Sequence, residues 1–270
     1  MIDTIIHRWL RVPYPLHARI SREVVHPRAT VLFIHGIGQS GEAWDAIVEA
    51  LPKDIRCITI DLLGFGRSPQ PAWALYSAKT QASSVITTML QLRLTGPVIV
   101  VGHSLGALVA VEVARRYPLL VSSLILCSPP FYQLKNSLST PLPNTEKLLW
   151  NIYQLTKKNP SRLVAVSQVA KKYNLVSRTF NLSEDNISTY MNALEATIVN
   201  QNSINDALRI KKKTTIIYGK FDPVVVPRNL RMLEKASPYI NLVTILAGHE
   251  IRGRFIPAIL QAIEAHSKKK

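Results

Sequence analysis

Three residues of complementary chemistry stand out along this chain. They are Ser104 in Gly102-His103-Ser104-Leu105-Gly106, Asp222 in Tyr218-Gly219-Lys220-Phe221-Asp222-Pro223, and His249 in Leu246-Ala247-Gly248-His249-Glu250. A serine hydroxyl is a weak nucleophile at neutral pH. It needs a base to take its proton, and the base needs a carboxylate to fix its tautomer and stabilise its charged form. Set in one row, the three could attack an acyl carbonyl, and that chemistry calls for no cofactor and no metal.

The surroundings of Ser104 strengthen the reading. Pro97-Val98-Ile99-Val100-Val101 reads as a buried strand, and Ala107 to Arg116 reads as a helix. A strand that runs straight into a helix turns sharply, which forces the apex residue into an unusual backbone conformation. Gly102 and Gly106 lack the side chains that would collide there, so Ser104 is held outward at the end of the strand.

Six other histidines compete for the role of base. His103 points toward the core by alternation, His35 sits in a glycine-flanked turn, and His7, His17, His26 and His266 fall in terminal or surface segments. His249 lies in a loop just after a strand, as Asp222 does. An acid supplied from the end of an earlier strand would fall near Ser128-Pro129-Pro130, where no carboxylate stands.

Strands and helices take turns along the chain, and this alternation must position the three groups. Strand patterns cover residues 5–11, 18–25, 30–34, 55–60, 97–101, 120–127, 214–218 and 241–246, the first two as a paired antiparallel start. Helical patterns cover 41–51, 77–94, 107–116, 227–236 and 255–266. Continuous apolar strands alternating with helices predict an α/β architecture: a mostly parallel, doubly wound eight-stranded sheet with helices on both faces. Ligands on such sheets bind beyond the carboxyl ends of the strands. Residues 131–208 break the rhythm, with helical patterns only, at 145–156, 160–173 and 184–199. The expected organisation is therefore a core of residues 1–130 and 209–270 with a helical cap inserted at 131–208. Trp150, Tyr153 and Phe131 are candidates to line a pocket beneath it.

With the order serine, acid, histidine in place, the sequence resembles the α/β-hydrolase superfamily over nearly its whole length. His35-Gly36-Ile37-Gly38 matches the family's oxyanion loop, so the resemblance gives the N–H groups of Ile37 and Leu105 the role of holding the oxyanion and gives His35 that of bracing the loop. Asp61-Leu62-Leu63-Gly64-Phe65-Gly66-Arg67-Ser68 matches a turn-shaping block outside the chemistry. Relatives that open epoxides or cleave carbon–halogen bonds carry aspartate at the elbow; serine implies acyl transfer. Relatives that cleave carbon–carbon bonds often have Trp after the histidine, where Glu250 stands here. The resemblance thus implies a serine esterase acting on a small-molecule acyl ester. An esterase or thioesterase acting on an acyl group borne by an acidic carrier protein is the alternative. A non-catalytic binding protein would usually have lost a member of the triad.

Composition sets the bounds. At 270 residues, 47% hydrophobic and 19% charged, the chain can bury a large core as one folded unit. No apolar run approaches the roughly 20 residues of a membrane helix. The start lacks the apolar stretch of a secretory signal, so a cytoplasmic enzyme is expected. Cys57 and Cys127 sit in apolar runs and read as buried free thiols, with no Cys/His spacing for a metal. The net charge is +16. Its tight clusters are Lys211-Lys212-Lys213 and Lys268-Lys269-Lys270, with no interleaving of aromatic and basic residues for specific nucleic-acid binding. Such a surface attracts phosphate- or carboxylate-rich partners.

Overall fold

The computed structural model describes residues 2–94, 96–132, 144–173 and 176–268. Seven strands form one sheet in the order β1-β3-β2-β4-β5-β6-β7. They are β1 (Ala18–Arg22), β2 (Ala29–Ile34), β3 (Ile55–Ile60), β4 (Val98–His103), β5 (Val121–Cys127), β6 (Thr214–Gly219) and β7 (Ile240–Ile245). β1 pairs antiparallel with β3 at one edge, and every other pairing is parallel.

The alternation of side chains along the strands splits the core into two layers. Leu32, Ile34, Val100, Leu124 and Leu126 face one side. There they meet α2 (Ala78–Gln91), α3 (Leu105–Arg116) and α8 (Pro227–Ala236) through residues such as Val85, Leu108 and Leu230. Val31, Phe33, Ile99, Val101 and Ile125 face the other, against Ile47 of α1 (Asp45–Ala50) and Phe255, Ile259 and Ile263 of α9 (Phe255–Ser267). Cys57 and Cys127 are buried free thiols in this second layer.

The sheet has seven strands among the described residues, not eight. Residues Thr4–Trp9 coil into a π-helical turn instead of forming the first arm of a hairpin. β1 is the edge strand, and among the described residues its outer side is unpaired; Ile5 and Trp9 point to solvent, so the segment offers no apolar face for the sheet to bury. The turn is tied down by Tyr14, whose hydroxyl donates to Asp3 at 2.6 Å and whose ring stacks on His7.

Between β5 and β6 the chain forms α4 (Asn144–Lys158), α5 (Pro160–Lys172), α6 (Ile187–Ala193), a π-helical turn (Leu194–Val199) and α7 (Ser203–Leu208). Polar contacts fasten this insertion to the sheet. Asn181 N donates to Gly38 O at 2.7 Å, Thr197 Oγ1 to Tyr76 O at 2.6 Å, and Gln201 Nε2 to Pro130 O at 2.8 Å. Of the expected cap range, 133–143 and 174–175 lie outside the described residues, as do positions 269 and 270 of the terminal lysine cluster. No helix among the described residues is long and apolar enough to cross a membrane.

Candidate active site

β4 is buried from end to end and passes into α3 with Ser104 as the joint. Ser104 has φ 52° and ψ −120°, a conformation that residues with a Cβ rarely adopt and that packing must enforce. Two close backbone approaches do so. A Cβ on Gly102 would lie 2.4 Å from the carbonyl oxygen of Gly106, and one on Gly106 would lie 2.4 Å from those of Ile34 and His35. Glycine at both positions lets α3 press onto the ends of β2 and β4. Ser104 N donates to Cys127 O at 2.9 Å, which fixes the apex against β5.

The loops after β6 and β7 bring the other two groups to it. His249 Nε2 lies 3.1 Å from Ser104 Oγ, positioned to accept the hydroxyl proton. His249 Nδ1 lies 3.0 and 2.9 Å from the two carboxylate oxygens of Asp222. That contact places the ring hydrogen on Nδ1 and leaves Nε2 as the acceptor. Asp222 Oδ1 also accepts from Val224 N at 2.9 Å. Burial by itself would raise the Asp222 carboxyl, but His249 and the Val224 N–H outweigh it and hold the group below the ordinary carboxylate range. Ser128 stands at the end of β5, where an acid from an earlier strand would be.

His35-Gly36-Ile37-Gly38 forms the turn after β2. His35 Nδ1 donates to Gly36 O at 2.7 Å, and Leu62 N donates to His35 Nε2 at 2.9 Å, so the ring pins the turn to the chain beyond β3. Burial lowers its pKa, and the neutral ring suits both contacts. Among the described residues no acceptor takes the N–H of Ile37 or of Leu105, the first residue of α3. The block at Asp61 is a bracket: its carboxylate accepts from Gly41 N at 2.6 Å and Arg67 N at 2.8 Å, and Ser68 Oγ donates to Asp61 O at 2.6 Å.

A cavity of about 290 Å³ opens over Ser104 and His249. Its walls come mostly from the helical insertion, through Trp150, Tyr153, Leu163, Phe180, Tyr190, Leu194 and Ile198. Phe131 does not line it. That ring is fully buried in the core, and its neighbour Tyr132 reaches the cavity instead, because successive side chains in an extended segment point opposite ways.

Three polar residues at this site carry roles the sequence did not reveal. His103 Nε2 donates to His249 O at 2.9 Å. Gln39 accepts from Gly36 N at 3.2 Å and donates through Nε2 to Glu250 Oε2 at 3.2 Å. Glu250 lines the cavity, and burial pushes its carboxyl above the ordinary range despite His249, Arg252 and the Ser177 N–H. The position of Gln39 near the turn and of Glu250 beside His249 was the available signal, but no pattern in the sequence links residues so far apart. Among the described residues no cluster of His, Cys, Asp and Glu could hold a metal ion.

A family model described as the alpha/beta hydrolase fold matches residues 29–251. The chain is 36% identical over 116 residues to a probable lysophospholipase, BODYGUARD 4 of Arabidopsis thaliana, a match covering 42% of this chain and 28% of that protein. It is 40% identical over 101 residues to lipase LipV of Mycobacterium tuberculosis strain H37Rv, covering 37% of each. The chain thus spans about a quarter to a third of the length of these curated relatives. Among solved structures, an esterase from Exiguobacterium antarcticum superposes with a TM-score of 0.75 at 19% identity, over 94% of this chain and 96% of that one. A thermophilic esterase from Thermogutta terrifontis gives 0.71 at 20% identity, over 94% of both chains. At these identities the likeness is one of fold.

Proposed function

The chain belongs to the α/β-hydrolase family, and on that premise we propose that it is a serine hydrolase that cleaves carboxylic esters through an acyl-enzyme. The unbroken row from Ser104 Oγ through His249 to Asp222 carries the reading. Ser104 attacks the ester carbonyl as its proton passes to His249 Nε2. Asp222, held ionised, stabilises the imidazolium that results and keeps its Nδ1–H in place. The unengaged N–H groups of Ile37 and Leu105 receive the oxyanion, and each such donor is typically worth about 3 kcal/mol in the transition state. His249 then protonates the leaving alcohol, and water cleaves the acyl-enzyme with the same base.

The apolar walls over Ser104 favour an uncharged acyl chain, and α4–α7 act as the cap that closes over it. The expected division into a core of residues 1–130 and 209–270 and a cap at 131–208 is part of this proposal. Lipase and lysophospholipase names among the relatives point the same way. In the test, purified protein is assayed on p-nitrophenyl butyrate beside Ser104→Ala, and a fluorophosphonate probe is mapped by peptide mass. Labelling of Ser104, with turnover lost by several orders of magnitude in the variant, supports the reading. Undiminished turnover in the variant overturns it.

A further inference from the structure

α5 shows solvent a face unlike that of an ordinary surface helix. Val166, Val169 and Tyr173, which directly follows the helix, are 63%, 56% and 66% exposed. At about 100° per residue these three and Arg162 fall in one stripe about 60° wide along the helix. Arg162 closes the stripe at one end. Lys172, whose ammonium stands 6.0 Å from the centre of the Tyr173 ring, closes it at the other. The helix contains no acidic residue. Ser161, whose hydroxyl donates to Glu184 at 3.2 Å, lies about 100° round the helix from Arg162. The opposite face is engaged: Val164 and Ser167 are buried, and Leu163 lines the cavity over Ser104. Scattered exposed apolar side chains need no explanation, but an aligned apolar stripe with basic ends does.

We infer that the outer face of α5 docks onto an anionic phospholipid bilayer. The two valines enter the boundary between headgroups and acyl chains, the Tyr173 ring sits at headgroup depth, and Arg162 and Lys172 meet lipid phosphates and carboxylates. Charge complementarity selects this occupant. The chain carries +16 overall, and an anionic surface attracts each basic side chain within a Debye length, a gain of about five-fold in partitioning per residue. An acidic carrier protein would satisfy Arg162 and Lys172 but would leave the apolar middle of the stripe facing carboxylates. A second copy packed antiparallel across α5 would set Arg162 against Lys172, like charge against like. Docked this way, the helix that walls the cavity through Leu163 lies on the lipid surface.

The test is sedimentation with vesicles of phosphatidylcholine mixed with phosphatidylserine and with vesicles of phosphatidylcholine alone. Binding needs no turnover, so its outcome is separate from that of the ester reading. We expect the wild-type protein to bind the mixed vesicles, to bind pure phosphatidylcholine at least ten-fold more weakly, and to be released by raised salt. Val166→Asp with Val169→Asp should lower binding about ten-fold or more, and Arg162→Glu with Lys172→Glu should do likewise, with the melting temperature unchanged. Trp9→Ser, which removes an exposed aromatic elsewhere on the surface, should leave binding as it is. Loss that follows Trp9 and spares the α5 variants overturns the proposal, as does binding to an acidic carrier protein with none to vesicles.

Discussion

His103 and His249 meet through the backbone: the Nε2–H of His103 donates to the carbonyl of His249 at 2.9 Å, with ring centroids 5.0 Å apart. The residue beside Ser104 therefore holds the loop that carries His249. Burial, with the neighbouring His249, lowers His103 to about 3, so its ring stays neutral and its one N–H is committed to this bond. His103→Phe fills the space without the donor and should loosen the His249 loop. A displacement of about 1 Å at such a centre costs on the order of a hundred-fold in turnover. We expect kcat on p-nitrophenyl butyrate to fall by ten- to a hundred-fold, roughly on that scale, with KM little changed. A variant as active as the wild type would show that the loop holds itself.

Asp222→Asn keeps the shape of the third group and removes its charge. The amide can offer an N–H to His249 Nδ1, which favours the tautomer with hydrogen on Nε2 and takes away the acceptor for the Ser104 proton. A fall in kcat of about 10⁴ is the scale for this change in a triad. Circular dichroism should remain that of the wild type. A fall of less than ten-fold would assign the tautomer to another contact.

Much of this was legible along the chain because strand ends converge in a parallel sheet. A continuous β-branched apolar run ending at Val101, followed by helical spacing from Ala107, located the joint, and the glycines at 102 and 106 marked it. Asp222 and His249 followed from being the acid and the histidine just past later strands. Thr4–Trp9 misled because its β-branched start suits a strand, whereas its apolar residues come in pairs, Ile5-Ile6 and Trp9-Leu10, a spacing that winds into a helical turn rather than lining one face of a strand. Gln39–Glu250 and His103–His249 O were invisible because they depend on how the ends of separate strands lie in space. The cavity wall was hard to assign for a related reason: in an irregular segment one residue of phase decides whether Phe131 or Tyr132 points inward.

Glu250→Gln tests the buried carboxylate. A carboxyl whose folded pKa is raised binds its proton more tightly folded than unfolded. It therefore favours the fold below the unfolded pKa, and that contribution is lost as pH rises through the folded value. Burial disfavours the charged form of Glu250, while glutamine can still accept from Gln39 Nε2. The variant should melt higher than the wild type near pH 8, and the gap should close below about pH 4. Alanine at 250 would leave Gln39 Nε2 without that acceptor, so Glu250→Ala should lower kcat where Glu250→Gln does not. Equal losses in the two variants would show that Gln39 does not depend on this partner.

Acid should destabilise the protein well before its carboxylates are protonated, and histidines are the reason. Burial lowers His103 to about 3 and His266 to about 4, where Lys213 adds to the effect and Thr215 Oγ1 lies 2.9 Å from the ring. Both rings are neutral in the folded chain and protonate near pH 6.5 once unfolded. The unfolded state thus binds more protons below pH 6.5, and stability present above that value drains away as pH falls toward the folded pKa values. His103 contributes at most about 1.4 kcal/mol per pH unit, and half-buried His266 less, because water screens its charge. Thermal melts from pH 7.5 to 4.5 should show the midpoint steady at first and falling steadily below about pH 6.5. His266→Gln keeps a polar side chain beside Thr215 without the titration and should make that fall shallower. A midpoint constant down to pH 4.5 would mean that these rings take up protons as readily in the folded protein as in the unfolded one.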